Sequence, residues 1–421
     1  MQNLDLNRRF LVLATTVMLC SAAEPISTWR DAFQSSPATY EPPSDSFLKF
    51  AAERARVPVE TLRVHMTPQS VDGTIRYRVM VQAAGSQLRV RLSNEEGEHP
   101  ISIRQASVGL AADGFAARPN SLIPLTFSGA SAADITVGAP ILSDPIRLPV
   151  QPGTAVIVSI ALSAPIERDG RGGAGFAQSP GDQTMRAVMD RPTLLTGRPL
   201  VSGISVLSDP APNVVVALGD SITDGNRSAP DMSHGWPEQL ANRLTSRKTG
   251  GRYVVVNAGI AGNRLLAKGW GAAGLARLDR DALRIPGISH IVLLEGVNDI
   301  NFSGHGIFGD NPEITARDLI NGYRQVIARA HARGVKVYLG TLTPYPKDAT
   351  TTAAKAEIRD RVNQWIRTAR EADAVIDFDR FVRDPAAPTK FLQSYDSGDH
   401  LHPSDAGYKA MGQGIDLSLF P

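Results

Sequence analysis

A serine hydroxyl becomes a nucleophile only when a neighbouring base takes its proton, and three stretches of this chain carry residue types suited to that chemistry. Residues 217–226 read Ala-Leu-Gly-Asp-Ser-Ile-Thr-Asp-Gly-Asn, directly after the apolar run Val214-Val215-Val216. A tight Gly-Asp-Ser turn at the carboxyl end of a buried strand would present Ser221 to a ligand. Near the C-terminus, Asp399-His400-Leu401-His402 supplies a carboxylate beside two imidazoles. Asp399 and His402 are three residues apart. Within a turn the carboxylate can therefore accept the Nδ1–H of His402 and leave Nε2 free for the Ser221 proton. His400 is the alternative base, but in an extended segment it points away from its neighbour Asp399.

The tetrahedral intermediate of such a reaction needs hydrogen-bond donors fixed in advance. The backbone N–H of Ser221, the backbone N–H of Gly262 and the side-chain amide of Asn298 are the candidates. Gly262 lies in Asn257-Ala258-Gly259-Ile260-Ala261-Gly262-Asn263, where glycine lets the backbone approach a ligand. Asn298 lies in Gly296-Val297-Asn298-Asp299, after the apolar run Ile291–Leu294. Asp220, Asp224 and Asp299 fall near the same pocket and can equally cap helices or fix turns. Arg264, Trp236, Trp270 and Asp299 are candidates for the substrate mouth, with packing the competing role for the tryptophans. Asp399 with His400 and His402 also has the composition of a metal site. No HExxH, calcium loop or cysteine cluster accompanies it, so no metal is expected.

These residues must be held by an alternation of strands and helices. Beyond Ser208-Asp209-Pro210-Ala211-Pro212-Asn213, which reads as a linker, short apolar strands are expected at Val214–Leu218, Tyr253–Val256, Ile291–Leu294, Val335–Leu339 and Ala374–Phe378. Helices are expected at Trp236–Leu244, Leu275–Leu283, Ala316–His331 and Ala353–Glu371, with Thr315 as an N-cap and Gly334 past a C-terminus. Five such units predict a parallel sheet covered by helices on both faces, with ligands beyond the carboxyl ends of the strands. Between about Leu62 and Leu207 the pattern is instead period-two, as in Ile75-Arg76-Tyr77-Arg78-Val79-Met80-Val81, with frequent Gly and Pro. That half predicts an antiparallel β-sandwich or jelly roll. Gly170-Arg171-Gly172-Gly173-Ala174-Gly175 matches a dinucleotide-binding pattern formally, but no helix can open from the following Phe176-Ala177-Gln178-Ser179-Pro180, so it reads as a loop.

The set Gly219-Asp220-Ser221, Gly259-x-x-Gly262, Gly296-x-Asn298-Asp299 and Asp399-x-x-His402, in this order, resembles the SGNH hydrolase superfamily of GDSL-type esterases and lipases. The resemblance covers Asn213 to Leu419. It implies a flavodoxin-like, doubly wound five-stranded fold. It also implies Ser221 as nucleophile, His402 as base oriented by Asp399, and an oxyanion hole of Ser221, Gly262 and Asn298. Acyl, aryl, lipid or carbohydrate esters are the implied substrates, with no metal or organic cofactor. Here Ile222-Thr223 follows the serine in place of a leucine. The preceding half is similar to β-sandwich modules of some secreted carbohydrate esterases, and short acyl groups, above all acetyl, on carbohydrate or small esters are the expected substrates. A lipase, lysophospholipase or arylesterase of the same fold is the alternative, as is an acyltransferase using the same site. A non-catalytic glycan-binding protein would lack the nucleophile, the base or a donor, and none is missing.

Bulk properties agree with this organisation. The 421 residues suffice for two cores, and a formal net charge of +2 offers no electrostatic case for nucleic acid or an anionic membrane as partner. Arg8 and Arg9 precede an apolar stretch from Phe10 to Leu19 and then Cys20-Ser21-Ala22-Ala23, the pattern of an export signal cleaved before Glu24. The stretch is too short for a stable membrane span, and a lipid anchor on Cys20 is the rival outcome. Cleavage removes the only cysteine, leaving a secreted or periplasmic chain without disulfides. The expected organisation is thus a signal peptide at 1–23, a β-sandwich at 24–207, a linker at 208–213 and the hydrolase domain at 214–421. Oligomeric state is not written in these patterns.

Overall fold

Val214, Val215 and Val216 are all fully buried, as three consecutive residues are in a strand covered on both faces. In the computed structural model they belong to β1 (Asn213–Gly219), which is central to a parallel sheet with β2 (Tyr253–Gly259), β3 (Ile288–Leu294), β4 (Lys336–Gly340) and β5 (Ala374–Ile376). The order is 2-1-3-4-5 and every pair is parallel. The connection from β1 runs outward to β2 and that from β3 runs the opposite way to β4, so a crevice opens at the carboxyl ends of β1 and β3. Gly219, ending β1, pairs in register with Gly259 on β2 and Leu294 on β3. The structure describes residues 27–38, 44–55, 57–67, 69–168, 175–228, 234–247, 252–304, 312–344 and 352–421. The export signal with Cys20 and most of the glycine-rich stretch 170–175 lie outside the described residues.

The helix expected at Ala316–His331 is present with those bounds. Thr315 accepts from the Asp318 amide while Asp318 accepts from the Thr315 amide, a reciprocal cap that starts the helix. Two expected elements end early for local reasons, and a third changes helix type. The helix expected to reach Glu371 stops at Thr368, and Arg370 adopts a left-handed φ of 54°. Strand β5 stops at Ile376 because Asp377 caps the helix Phe378–Val382 by accepting from the Arg380 amide. The segment expected as one helix over Leu275–Leu283 is an α-helical piece, Gly274–Leu278, that widens into a π-helical turn, Asp279–Leu283.

The N-terminal half is built of antiparallel sheets. One is four-stranded and includes Thr28–Gln34, Leu88–Ser93 and Val201–Ser208. A seven-stranded sheet is centred on Thr74–Val81, Thr154–Leu162 and Ile101–Leu110. Tyr77, Val79, Val90 and Ile204, contributed by the two sheets, are fully buried in one apolar cluster. Strand Thr28–Gln34 comes first, two helices, Asp45–Ala55 and Val59–Met66, follow it, and the run of strands expected from near Leu62 starts at Gln69. The segment expected as a linker is short and held: Val201–Ser208 runs to Ser208, β1 begins at Asn213, and Arg30 Nε donates to the Pro212 carbonyl at 3.1 Å. The same apolar cluster continues from this half into the residues of β1 and β3.

Candidate active site

Ser221 is the first residue of a single helical turn, Ser221–Asp224, entered straight from β1. Asp220 caps the turn by accepting from the Ile222 amide at 2.9 Å. Gly225, at φ 86°, ends it. The arrangement puts the Ser221 side chain at the crevice while only 4% of the residue is exposed. Its Oγ lies 2.8 Å from His402 Nε2, and His402 Nδ1 lies 2.7 Å from Asp399 Oδ2. A carboxylate on Nδ1 keeps the proton there and leaves Nε2 as the acceptor facing the hydroxyl.

Asp399 is itself held. Its Oδ1 accepts from the His402 amide at 2.8 Å, the Leu401 amide at 3.0 Å and Ser397 Oγ at 3.1 Å. Burial pushes its pKa upward, but the His402 imidazole and these donors outweigh burial and hold it well below the usual carboxylate range. Arg227 Nε stands 3.4 Å from the same carboxylate, from a half-exposed position. His400, the alternative base, pairs its Nδ1 with Asp396 at 2.6 Å on a more exposed surface, so His402 is the imidazole brought to Ser221.

Gly262 and Asn298 approach from the loops after β2 and β3. Gly262 has φ 75°, and a Cβ there would overlap the Trp270 ring. Asn298 is in the short helix Val297–Phe302, and its Nδ2 donates to the Asn263 carbonyl at 3.0 Å. An amide nitrogen has two hydrogens, so that bond fixes the side chain and leaves one donor. Among the described residues, neither the Ser221 nor the Gly262 amide has a hydrogen-bond acceptor. Gly296, before Asn298, is at φ 126°, with Tyr323 Oη 2.7 Å from where a Cβ would stand.

The other expected mouth residues have different work. Trp236 is fully buried and packs against Phe378 with ring centroids 5.0 Å apart, so it belongs to the core rather than the mouth. Asp299 accepts from the Leu265 and Leu266 amides at 2.7 and 2.9 Å and braces the loop after β2. Arg264 is 5% exposed, and its charge favours the ionised form of Asp299. Trp270 does lie against Gly262, where Phe47 of the helix Asp45–Ala55 meets it edge-on at 4.4 Å and Phe302 at 6.0 Å.

Sequence reasoning missed a charged cluster directly behind the nucleophile turn. Arg277 is fully buried; its Nη2 donates to the Gly219 carbonyl at 2.8 Å, its Nη1 to the Ala258 carbonyl at 2.6 Å and its Nε to Asn263 Oδ1 at 2.9 Å. It thus ties the ends of β1 and β2 to the loop that anchors Asn298. Asp281 at 3.0 Å and Glu295 at 3.4 Å are its ion-pair partners. Burial pushes Glu295 well above the usual carboxylate range against the pull of Arg277. Burial likewise moves Asp220 up to about 7 and Asp299 to about 6, against the amides they accept from. The available signal was an acid directly after the apolar run Ile291–Leu294 and an arginine among apolar residues of a helix.

Residues 217–410 match the model of the GDSL-like lipase/acylhydrolase family. Similar solved structures include TesA, 25% identical over 50% of this chain and 99% of that one, with a TM-score of 0.39. An acetyl xylan esterase is 21% identical, covering 49% of this chain and all of its own, with a TM-score of 0.37. A carbohydrate acetylesterase family member from Sinorhizobium meliloti is 16% identical over 49% of this chain and 97% of that one, with a TM-score of 0.39. No curated protein matches the chain.

Proposed function

We propose that this chain, whose C-terminal half is a GDSL-like lipase/acylhydrolase domain and so of a carboxylic-ester hydrolase family, releases short acyl groups, above all acetyl, from carbohydrate or small esters through an acyl-serine intermediate. The observation that carries the reading is the continuous path from Asp399 Oδ2 through His402 to Ser221 Oγ, with hydrogen-bond distances of 2.7 and 2.8 Å.

Ser221 Oγ attacks the ester carbonyl as its proton passes to His402 Nε2. The carbonyl oxygen becomes an oxyanion and takes hydrogen bonds from the Ser221 amide, the Gly262 amide and the second hydrogen of Asn298 Nδ2. His402 then returns the proton to the departing alcohol, leaving the acyl group on Ser221. A water molecule, deprotonated by His402, attacks the acyl-enzyme; collapse releases the acid and restores the serine. Asp399 stays ionised throughout and offsets the positive charge of the imidazolium. Two features support the short-acyl preference. No long apolar lid segment occurs in the sequence, and Trp270, backed by Phe47 and Phe302, fills space beside Gly262.

The test is hydrolysis of a p-nitrophenyl ester series alongside acetylated xylan and a lysophospholipid. Acetate should be the best acyl group. Ser221→Ala should lower kcat by at least about 10⁴-fold without moving the thermal unfolding midpoint. A serine variant that keeps its activity defeats the mechanism, and a preference for long chains defeats the substrate assignment.

A further inference from the structure

Arg198 belongs to the β-rich half of the chain, yet its guanidinium reaches the last residue of the nucleophile turn. Nη1 and Nη2 each lie 3.2 Å from an oxygen of Asp224, one bond to each. Nη1 also lies 3.4 Å from the Gly259 carbonyl that ends β2 and from Ser35 Oγ. The two side chains are 9% and 13% exposed, so the pair is withdrawn from solvent. A two-pronged guanidinium–carboxylate pair sets orientation as well as distance.

Asp224 occupies a junction. Its backbone closes the turn that begins at Ser221, and its clamp Arg198 also reaches the Gly259 carbonyl, from which the loop carrying Gly262 departs. Burial pushes this carboxyl up and Arg198 opposes it. A Cβ on Gly259 would overlap the Asp224 backbone, so turn and strand meet with no slack. Two further buried or half-buried links join the halves nearby: Gln34 Nε2 donates to the Asp281 carbonyl at 2.9 Å, and Arg280 pairs with Glu96 at 2.7 Å.

We infer that Arg198 is a positioning residue of the active site. By clamping Asp224 and bonding the Gly259 carbonyl it holds Ser221 and the start of the loop that carries the Gly262 donor in register, which makes the β-rich half part of the catalytic unit. The inference rests on the proposed roles of Ser221 and Gly262. It acts through Asp224, and Arg198 itself does not touch the ester.

The experiment compares the full-length protein with Arg198→Ala, Arg198→Lys and the double variant Arg198→Ala/Asp224→Asn. With p-nitrophenyl acetate, Arg198→Ala should lose about 10²-fold in kcat with little change in KM. Arg198→Lys should regain only part of this, because one ammonium cannot bond both oxygens in the same plane. The double variant relieves the unpaired buried carboxylate but still lacks the clamp, so it should regain only part of the loss and stay at least about tenfold below the parent; full recovery would overturn the positioning role. Hydrogen exchange should quicken in residues 219–226 and 259–264 of Arg198→Ala or Arg198→Lys and stay unchanged in 316–331. If Arg198→Ala does not fold, the lysine variant carries both readouts. Unchanged kcat together with unchanged exchange overturns the inference. A parent that hydrolyses no ester tested would instead defeat the functional reading, while the exchange data would still decide the role of Arg198.

Discussion

Asn298 shows how one residue can be both fixed and available. Its amide spends one hydrogen on the Asn263 carbonyl and keeps the other, which the proposed mechanism assigns to the oxyanion. Because that second bond strengthens as charge develops, its removal falls on the chemical step. Asn298→Ala should therefore lower kcat for acetyl ester hydrolysis by about 10²–10³-fold and leave KM nearly unchanged. An equal loss spread into KM would assign the residue to substrate binding instead. Residue types and spacing were enough to select Ser221, His402, Asp399, Gly262 and Asn298, because each role demands a particular functional group at a strand end. Trp236 was not legible in that way. An indole looks the same in sequence whether it faces a ligand or, as here, is enclosed against Phe378.

At the scale of elements, the loop after β2 carries the most constraint. Gly262 is in the left-handed region and touches Trp270, which Phe47 and Phe302 hold from the other side. A methyl at this position meets both a strained backbone and an occupied space. Gly262→Ala should cost about 1–3 kcal/mol of stability in denaturant unfolding and lower kcat more than KM. A variant as stable and as active as the parent would show that the loop tolerates another path. The glycine was visible in the sequence, but its aromatic neighbours come from an N-terminal helix and from the segment before Gly274. No local pattern links those stretches.

At the scale of the molecule, buried charge behind the site makes stability depend on pH. In the unfolded chain Asp299 has its ordinary value of 3.8, and in the folded protein burial lifts it to about 6. Between those values the folded form holds a proton that the unfolded form has released. The stabilisation is therefore fully present below about pH 3.8 and is lost as pH rises through about 6. Asp299→Asn should flatten the decline between pH 4 and 7.5 by about 3 kcal/mol, measured from urea midpoints at several pH values. Parallel profiles for parent and variant would mean that Asp299 does not carry it. Asp220, lifted to about 7 by its own burial, adds a later fall of the same sign.

By itself the sequence determined the parallel five-stranded architecture, the antiparallel character of the first half and the residues able to form a nucleophile, base and oxyanion donors. These follow from periodicity and functional-group chemistry, which are local properties. Only the tertiary structure placed His402 Nε2 against Ser221 Oγ, at 2.8 Å. It also decided that Asp299 braces a loop, that Arg277 joins two strand ends, and that Arg198 grips Asp224 across the two halves. Each of these depends on which side chains are deprived of water together, and burial is settled by packing between segments far apart in the chain.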